Sequence, residues 1–216
     1  METIGATASC ELDVSGIAKQ FGRRSLFRDL SFSLEAGASL AVTGANGTGK
    51  STLLRILAGV LTPTRGNVTL RRNGAVVDSD DHPLHVGLVA PYLNVYDGFS
   101  PRENLQFIAR ARRLDRAADR ITRTLGAVEL AGRADDAVST FSSGMKQRVK
   151  FAAALLAEPP LLLLDEPNVN LDAAGLHMVR RVIDRQIAAG GLVVVATNVS
   201  QEASRHCRTL RIEDFG

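Results

Sequence analysis

Eight consecutive residues, Gly44, Ala45, Asn46, Gly47, Thr48, Gly49, Lys50 and Ser51, carry the densest chemical signal in the sequence. They fill every position of the pattern G-x-x-x-x-G-K-[ST], in which glycines let the backbone turn its amide N–H groups toward phosphate oxygens. Lys50 would reach the β- and γ-phosphates, and Ser51 would place its hydroxyl on Mg²⁺. A second chemical pair, Asp165 and Glu166, closes an apolar run of four leucines at 161–164. Asp165 can hold Mg²⁺ through water, and Glu166 can face an attacking water as general base while its carboxylate is ionised. Each glycine alone reads as a turn residue, and an acidic pair at a strand end as a turn or cap. Together, loop and pair point to binding and hydrolysis of a nucleoside triphosphate.

The elements that must position these groups are legible around them. Residues 1–43 read as short strands and turns, a meander ending in a buried strand at 39–43, and the phosphate loop then opens a helix whose Leu53, Leu54, Leu57 and Ala58 fall at helical spacing before Gly59. A strand follows near 67–74, the polar stretch 78–85 reads as a surface loop, and 86–90 as another strand. Ser100, Pro101 and Glu103 are a helix start, with a capping serine, a proline in the first turn and a glutamate three residues on. From there to about residue 130 the chain reads as helix, rich in arginine; this is a solvated face or a contact with another subunit, and phosphate-backbone binding has little support. A further helix runs from about 143 to 157, Pro159 and Pro160 break it, and 161–164 is a strand. Asp172 can cap a long helix to 189, 192–197 is a fully apolar strand of the parallel kind, and the tail adds a short edge strand. Buried strands alternating with helices predict an α/β chain with a mostly parallel core sheet, an N-terminal antiparallel β part and an inserted helical part.

Composition bounds the rest. The 216 residues suffice for one well-packed core, and 45% hydrophobic content excludes a disordered chain. The 26 Lys and Arg against 23 Asp and Glu leave only +3, so nucleic acid is not expected. Two cysteines near opposite ends and no basic leader read as reduced cytosolic thiols, and no apolar run is long enough to span a membrane.

The ordered set resembles the ATP-binding cassette (ABC) ATPases, specifically the single-cassette ATP-binding subunit of a membrane transporter. The resemblance rests on the phosphate loop at 44–51, the signature-like segment Phe141-Ser142-Ser143-Gly144-Met145-Lys146-Gln147-Arg148, the acidic pair Asp165-Glu166, Asn170-Leu171-Asp172, and Glu103-Asn104-Leu105. It implies a P-loop NTPase fold occupying 1–216, with a core at 1–91 and 158–216 and a helical subdomain at about 92–157. It implies ATP and Mg²⁺ as ligands, with Gly44, Asn46, Gly47, Gly49, Lys50, Ser51, Thr52 and Asp165 around the nucleotide and Ser51 and Asp165 on the metal. Two cassettes, as a homodimer, would close head to tail, so that Ser142 and Gly144 of one meet the γ-phosphate held by the other. Phe21 stands where the family stacks an aromatic residue on adenine, though a core phenylalanine is the equal alternative. A transmembrane permease would be the second partner, placing the chain on the cytoplasmic face of the membrane.

Three departures accompany the resemblance. The glutamine expected near Pro91 is missing, the histidine expected after the last apolar strand is Asn198, and the signature has Phe141, Ser143 and Met145 where the family has Leu, Gly and Gln. Asn198 can offer a neutral hydrogen bond but no positive charge. ATP hydrolysis with Glu166 and Asn198 at the reacting end is the expected activity, at a reduced rate. A soluble cassette with a regulatory or assembly role and a nonhydrolytic ATP-dependent module are the alternatives.

Overall fold

The computed structural model describes residues 9–216, so whatever was expected of 1–8 lies outside the described residues. In chain order the strands and helices are β1 (Cys10–Phe21), β2 (Arg24–Leu34), β3 (Ser39–Thr43), α1 (Lys50–Leu57), β4 (Arg65–Arg72), β5 (Ala75–Val76), β6 (Val86–Val89), α2 (Pro101–Ala111), α3 (Ala117–Ala127), α4 (Ser143–Leu155), β7 (Leu161–Asp165), α5 (Ala173–Ala188), β8 (Leu192–Ala196), α6 (Ser200–Ala203) and β9 (Arg208–Arg211).

Two sheets divide these strands. The order β2-β1-β4-β5 is antiparallel throughout, and the order β6-β7-β8-β3-β9 is parallel throughout. The expected meander ending at 39–43 is therefore corrected. β1 and β2 form a long hairpin, but β3 leaves it for an interior position of the other sheet, between β8 and β9. Its burial explains why: Ser39, Leu40, Ala41 and Val42 are all buried, as a strand covered on both faces requires.

The parallel sheet separates two cores, and strand alternation assigns side chains to each. Leu161 and Leu163 of β7 join the core shared with α1 and the antiparallel sheet, whereas Leu162 and Leu164 join the core shared with α2 to α5. Leu192 and Val194 of β8 follow the first pair, Val193 and Val195 the second. The strand ends, where the chemistry sits, are thus fixed from both sides.

Between β6 and β7 the chain carries α2, α3 and α4. The start of α2 is as expected: Glu103 N–H donates to Ser100 Oγ at 3.2 Å and Ser100 N–H to Glu103 Oε2 at 2.8 Å. The single helix expected from 100 to 130 is instead two, because Arg113 and Arg116 adopt φ of 51° and 48° and break the ladder between α2 and α3. The arginines there are largely paired: Arg102 with Asp135, Arg120 with Asp115 and Glu158, and Arg123 with Glu158. The polar stretch 78–85 is not wholly a surface loop either. It ends in a short 3-10 turn, His82–His85, whose His82 is buried with Nε2 2.8 Å from Leu57 O at the end of α1.

Candidate nucleotide site

The phosphate loop joins the C-terminal end of β3 to α1. Gly44 has φ of 148°, and a Cβ there would lie 2.8 Å from Ile212 Cγ2 and 2.9 Å from Thr48 Oγ1. Gly49 has φ of 110° and is the residue from which α1 springs. Both conformations strongly favour glycine. The intervening turn is tied by Thr48 Oγ1 donating to Ala45 O at 2.8 Å, and by the Arg24 guanidinium donating to Gly47 O at 3.1 Å. Asn46 is exposed at the turn, and Thr52 follows Ser51 half-buried on α1.

Lys50 is only 6% exposed, and its ammonium turns back to Gly44 O at 2.8 Å and Ala45 O at 3.1 Å. Asp165, 2% exposed at the end of β7, accepts a hydrogen bond from the Ser51 hydroxyl. Burial raises the Asp165 carboxyl above the ordinary aspartate range, while Ser51, Lys50 and Arg55 pull it back. The fold thus brings Asp165 to Lys50 and Ser51, although it lies far from them in the chain. Ser51 and Asp165 supply hard oxygen donors, the chemistry Mg²⁺ takes.

Glu166 stands beside them in a strained backbone conformation, φ 47°, fixed by its N–H donating to Ala196 O at 2.9 Å. Burial pushes its carboxyl above the ordinary glutamate range; Lys50 opposes this, Asp165 and Glu202 add to it, and the Asn198 backbone N–H donates to the carboxylate. The Asn198 side chain is exposed.

Phe21 is 52% exposed at the tip of the β1–β2 hairpin, with the Lys19 ammonium 5.0 Å from its ring centroid. That exposure excludes the core alternative. Its cross-strand partner is Arg24, the residue bonded to Gly47, so the hairpin tip that carries the ring is tethered to the phosphate loop. Ser142 and Gly144 are not brought to the loop. Ser142 caps α4, its Oγ accepting from Met145 N–H at 3.2 Å, and the two residues line a separate polar concavity with Arg148, Asn170 and Asp172. Arg148 pairs with Glu129 and lies 3.7 Å from Asp172, which itself caps α5 through Gly175 N–H at 2.8 Å.

Three groups near the site carry no sequence signal of their own. Arg55 on α1 places its guanidinium 4.0 Å from the Tyr92 ring centroid, its Nε buried without a hydrogen bond. This stack lies beside Pro91, whose only polar contribution is its carbonyl, accepting from Lys150 at 3.2 Å. Glu202 is 8% exposed and accepts from Thr197 Oγ1 at 3.1 Å behind Glu166. Glu213 accepts from the Ala45 N–H at 2.7 Å.

The family model described as ABC transporter matches residues 27–169. Nod factor export ATP-binding protein I of Bradyrhizobium diazoefficiens is 33% identical over 210 residues, covering 95% of this chain and 68% of that protein. The protein of the same name from Rhizobium meliloti is 33% identical over 222 residues, covering 98% of this chain and 64% of its own length. Among solved structures, an ATP-binding subunit of an ABC transporter superposes with a TM-score of 0.82 at 27% identity, over 93% of this chain and 86% of that one. A dimeric ATP-binding cassette in a post-hydrolysis state with ADP and Pi shares the fold at a TM-score of 0.78 and 22% identity, over 93% and 94% of the two chains. With the parallel sheet, the phosphate loop and the acidic pair arranged as described, the chain belongs to the ABC transporter family, as an ATP-binding subunit with ATPase activity.

Proposed function

We propose that this chain binds Mg-ATP on the 44–51 loop, hydrolyses it with Glu166 as general base, and works as one of two copies docked on a membrane permease. The observation that carries the reading is the convergence of Lys50, Ser51 and Asp165 at the ends of β3 and β7, with Glu166 next to them. Ser51 and Asp165 would hold a bound Mg²⁺, which would supply positive charge against the charge developing on the phosphate. The protein does the rest. Lys50, seated by its two loop carbonyls, has a third ammonium hydrogen to donate to a phosphate oxygen, and the loop amides and the start of α1 receive the remaining charge. Glu166, its backbone tied to Ala196, carries the carboxylate that can take a proton from water. The Phe21 ring is free to stack on a base.

Ser142 is exposed and Gly144 half-buried, both remote from the loop within one chain, and their accessibility to a second copy supports a head-to-tail homodimer in which each nucleotide is enclosed by both chains. Among the described residues no helix is long and apolar enough to cross a membrane. Membrane passage would come from a permease docked at the exposed aromatic patch of Tyr96, Phe99 and Phe107, where Tyr96 lies 5.5 Å from each of Phe99 and Phe107. We read 92–157 as the subdomain that presents this patch and the remainder as the nucleotide core, with the assembly at the cytoplasmic face of the membrane. Calorimetric titration with Mg-ATP tests the site: the unaltered chain should bind, Lys50→Ala should lose most of that affinity, and equal binding by both would overturn the assignment.

A further inference from the structure

The phosphate loop is held from outside by the last turn of the chain. β9 runs parallel to β3, with Arg211 opposite Thr43, so the short 3-10 turn Ile212–Phe215 arrives directly over the start of the loop. Ile212 is fully buried and Phe215 packs against the same core, which fixes the turn independently of its polar side chains. Contact with the loop is made twice. Ile212 crowds Gly44 so closely that a Cβ on Gly44 would come within 2.8 Å of its side chain, and Glu213 Oε1 accepts the Ala45 N–H at 2.7 Å. Glu213 Oε2 is held in turn by Arg211 Nε at 2.7 Å.

The Ala45 N–H and the Gly44 carbonyl belong to one peptide group. Glu213 holds the N–H edge, and Lys50 donates to the carbonyl edge at 2.8 Å. Because the peptide is planar, fixing both edges fixes its rotation. The neighbouring Gly44 presents little barrier of its own to a different orientation. Glu213 is therefore connected to Lys50 through a single rigid unit.

We infer that Glu213 is a positioning residue of the nucleotide site, orienting the 44–45 peptide so that its carbonyl seats Lys50 and the loop is preformed for phosphate. This rests on the reading of 44–51 as the ATP loop. The charged groups around Glu213 are Arg211, Lys50 and Asp214, so its effect could in principle be one of charge. The peptide geometry assigns it to the hydrogen bond instead. Without that bond the competent orientation becomes one of several; if its population falls to about a tenth, apparent ATP affinity falls about tenfold.

The test is calorimetric titration of Mg-ATP into the purified chain, its Glu213→Ala, Glu213→Gln and Glu213→Asp variants, and Lys50→Ala. Glu213→Ala should weaken Kd about tenfold at unchanged stoichiometry, whereas misfolding would lower the stoichiometry and leave Kd alone. Glu213→Gln keeps an acceptor of the same reach and should recover most of the affinity; Glu213→Asp keeps the charge but is one methylene short and should resemble Glu213→Ala. In turnover assays the loss should fall on KM more than on kcat. Wild-type Kd in Glu213→Ala would overturn the inference, as would Glu213→Asp at wild-type affinity with Glu213→Gln as weak as Glu213→Ala, since that pattern makes charge the cause. Failure of the unaltered chain to bind ATP would overturn the site reading itself, a result distinct from Lys50→Ala losing affinity while Glu213→Ala does not.

Discussion

Replacing Glu166 by Gln removes one proton acceptor and little else. The side chain keeps its length, the backbone keeps its 2.9 Å bond from Glu166 N–H to Ala196 O, and the amide oxygen can still accept from the Asn198 N–H. What changes is basicity and charge. A positioned general base is worth about 10²–10⁴ in rate, so kcat should fall by that factor, or about 3–5 kcal/mol in the barrier. Binding should move the other way. Glu166 stands with Asp165 and Glu202 against the single nearby ammonium of Lys50, so removing one carboxylate should leave ATP affinity unchanged or raise it a few-fold, on the order of 1 kcal/mol. The native fold should not suffer, because burial already disfavours the charged form of this side chain. The assay is phosphate release under saturating Mg-ATP beside a calorimetric Kd. Turnover within about threefold of wild type would refute the role, since general-base catalysis contributes at least about a hundredfold.

Tyr92→Leu removes the ring over which Arg55 lies at 4.0 Å and leaves a guanidinium whose Nε already has no hydrogen bond. A loss of about 1 kcal/mol, or roughly 2–4 °C in Tm, is expected; Tyr92→Phe should restore it, and a melting curve in which both variants equal wild type would contradict the stack. The cysteines should separate by reactivity. Burial pushes the Cys10 thiol up to about 11, whereas Cys207 is exposed and its pKa is lowered by hydrogen bonding to Ser39. At pH 8 Cys10 would be about 0.1% thiolate, so Ellman's reagent should titrate one thiol in the native chain and a second only in denaturant; two fast thiols would refute this.

The parts of the site that sequence revealed are those whose chemistry is written in consecutive residues. The loop glycines, Lys50 and Ser51 must be adjacent for the turn to feed α1, and Ser100 and Glu103 must be three apart to cap each other, so both could be read directly. Sheet membership could not. The apolar residues of β3 predict a buried strand, but hydrogen bonding to β8 and β9 is decided by crossovers whose partners lie far along the chain. The break between α2 and α3 was hidden because arginines, not glycine or proline, take the positive φ. Glu213 was invisible for the same reason as β3: its partner Ala45 is 168 positions away and the contact exists only once β9 has paired with β3. Phe21 was ambiguous in sequence since an aromatic at a strand end serves a core or a surface equally, and its 52% exposure resolves it.

In the proposed dimer each ATP is enclosed by the phosphate loop of one copy and the Ser142 segment of another. Mixing two inactive variants tests it. Lys50→Ala lacks a working loop but keeps its Ser142 face; Ser142→Arg blocks that face but keeps its loop. Each alone should hydrolyse little ATP. If copies pair at random in an equal mixture, half of the dimers are mixed and each of those holds one intact site, so about a quarter of wild-type turnover should return. A mixture no more active than the sum of its separate components would contradict the account.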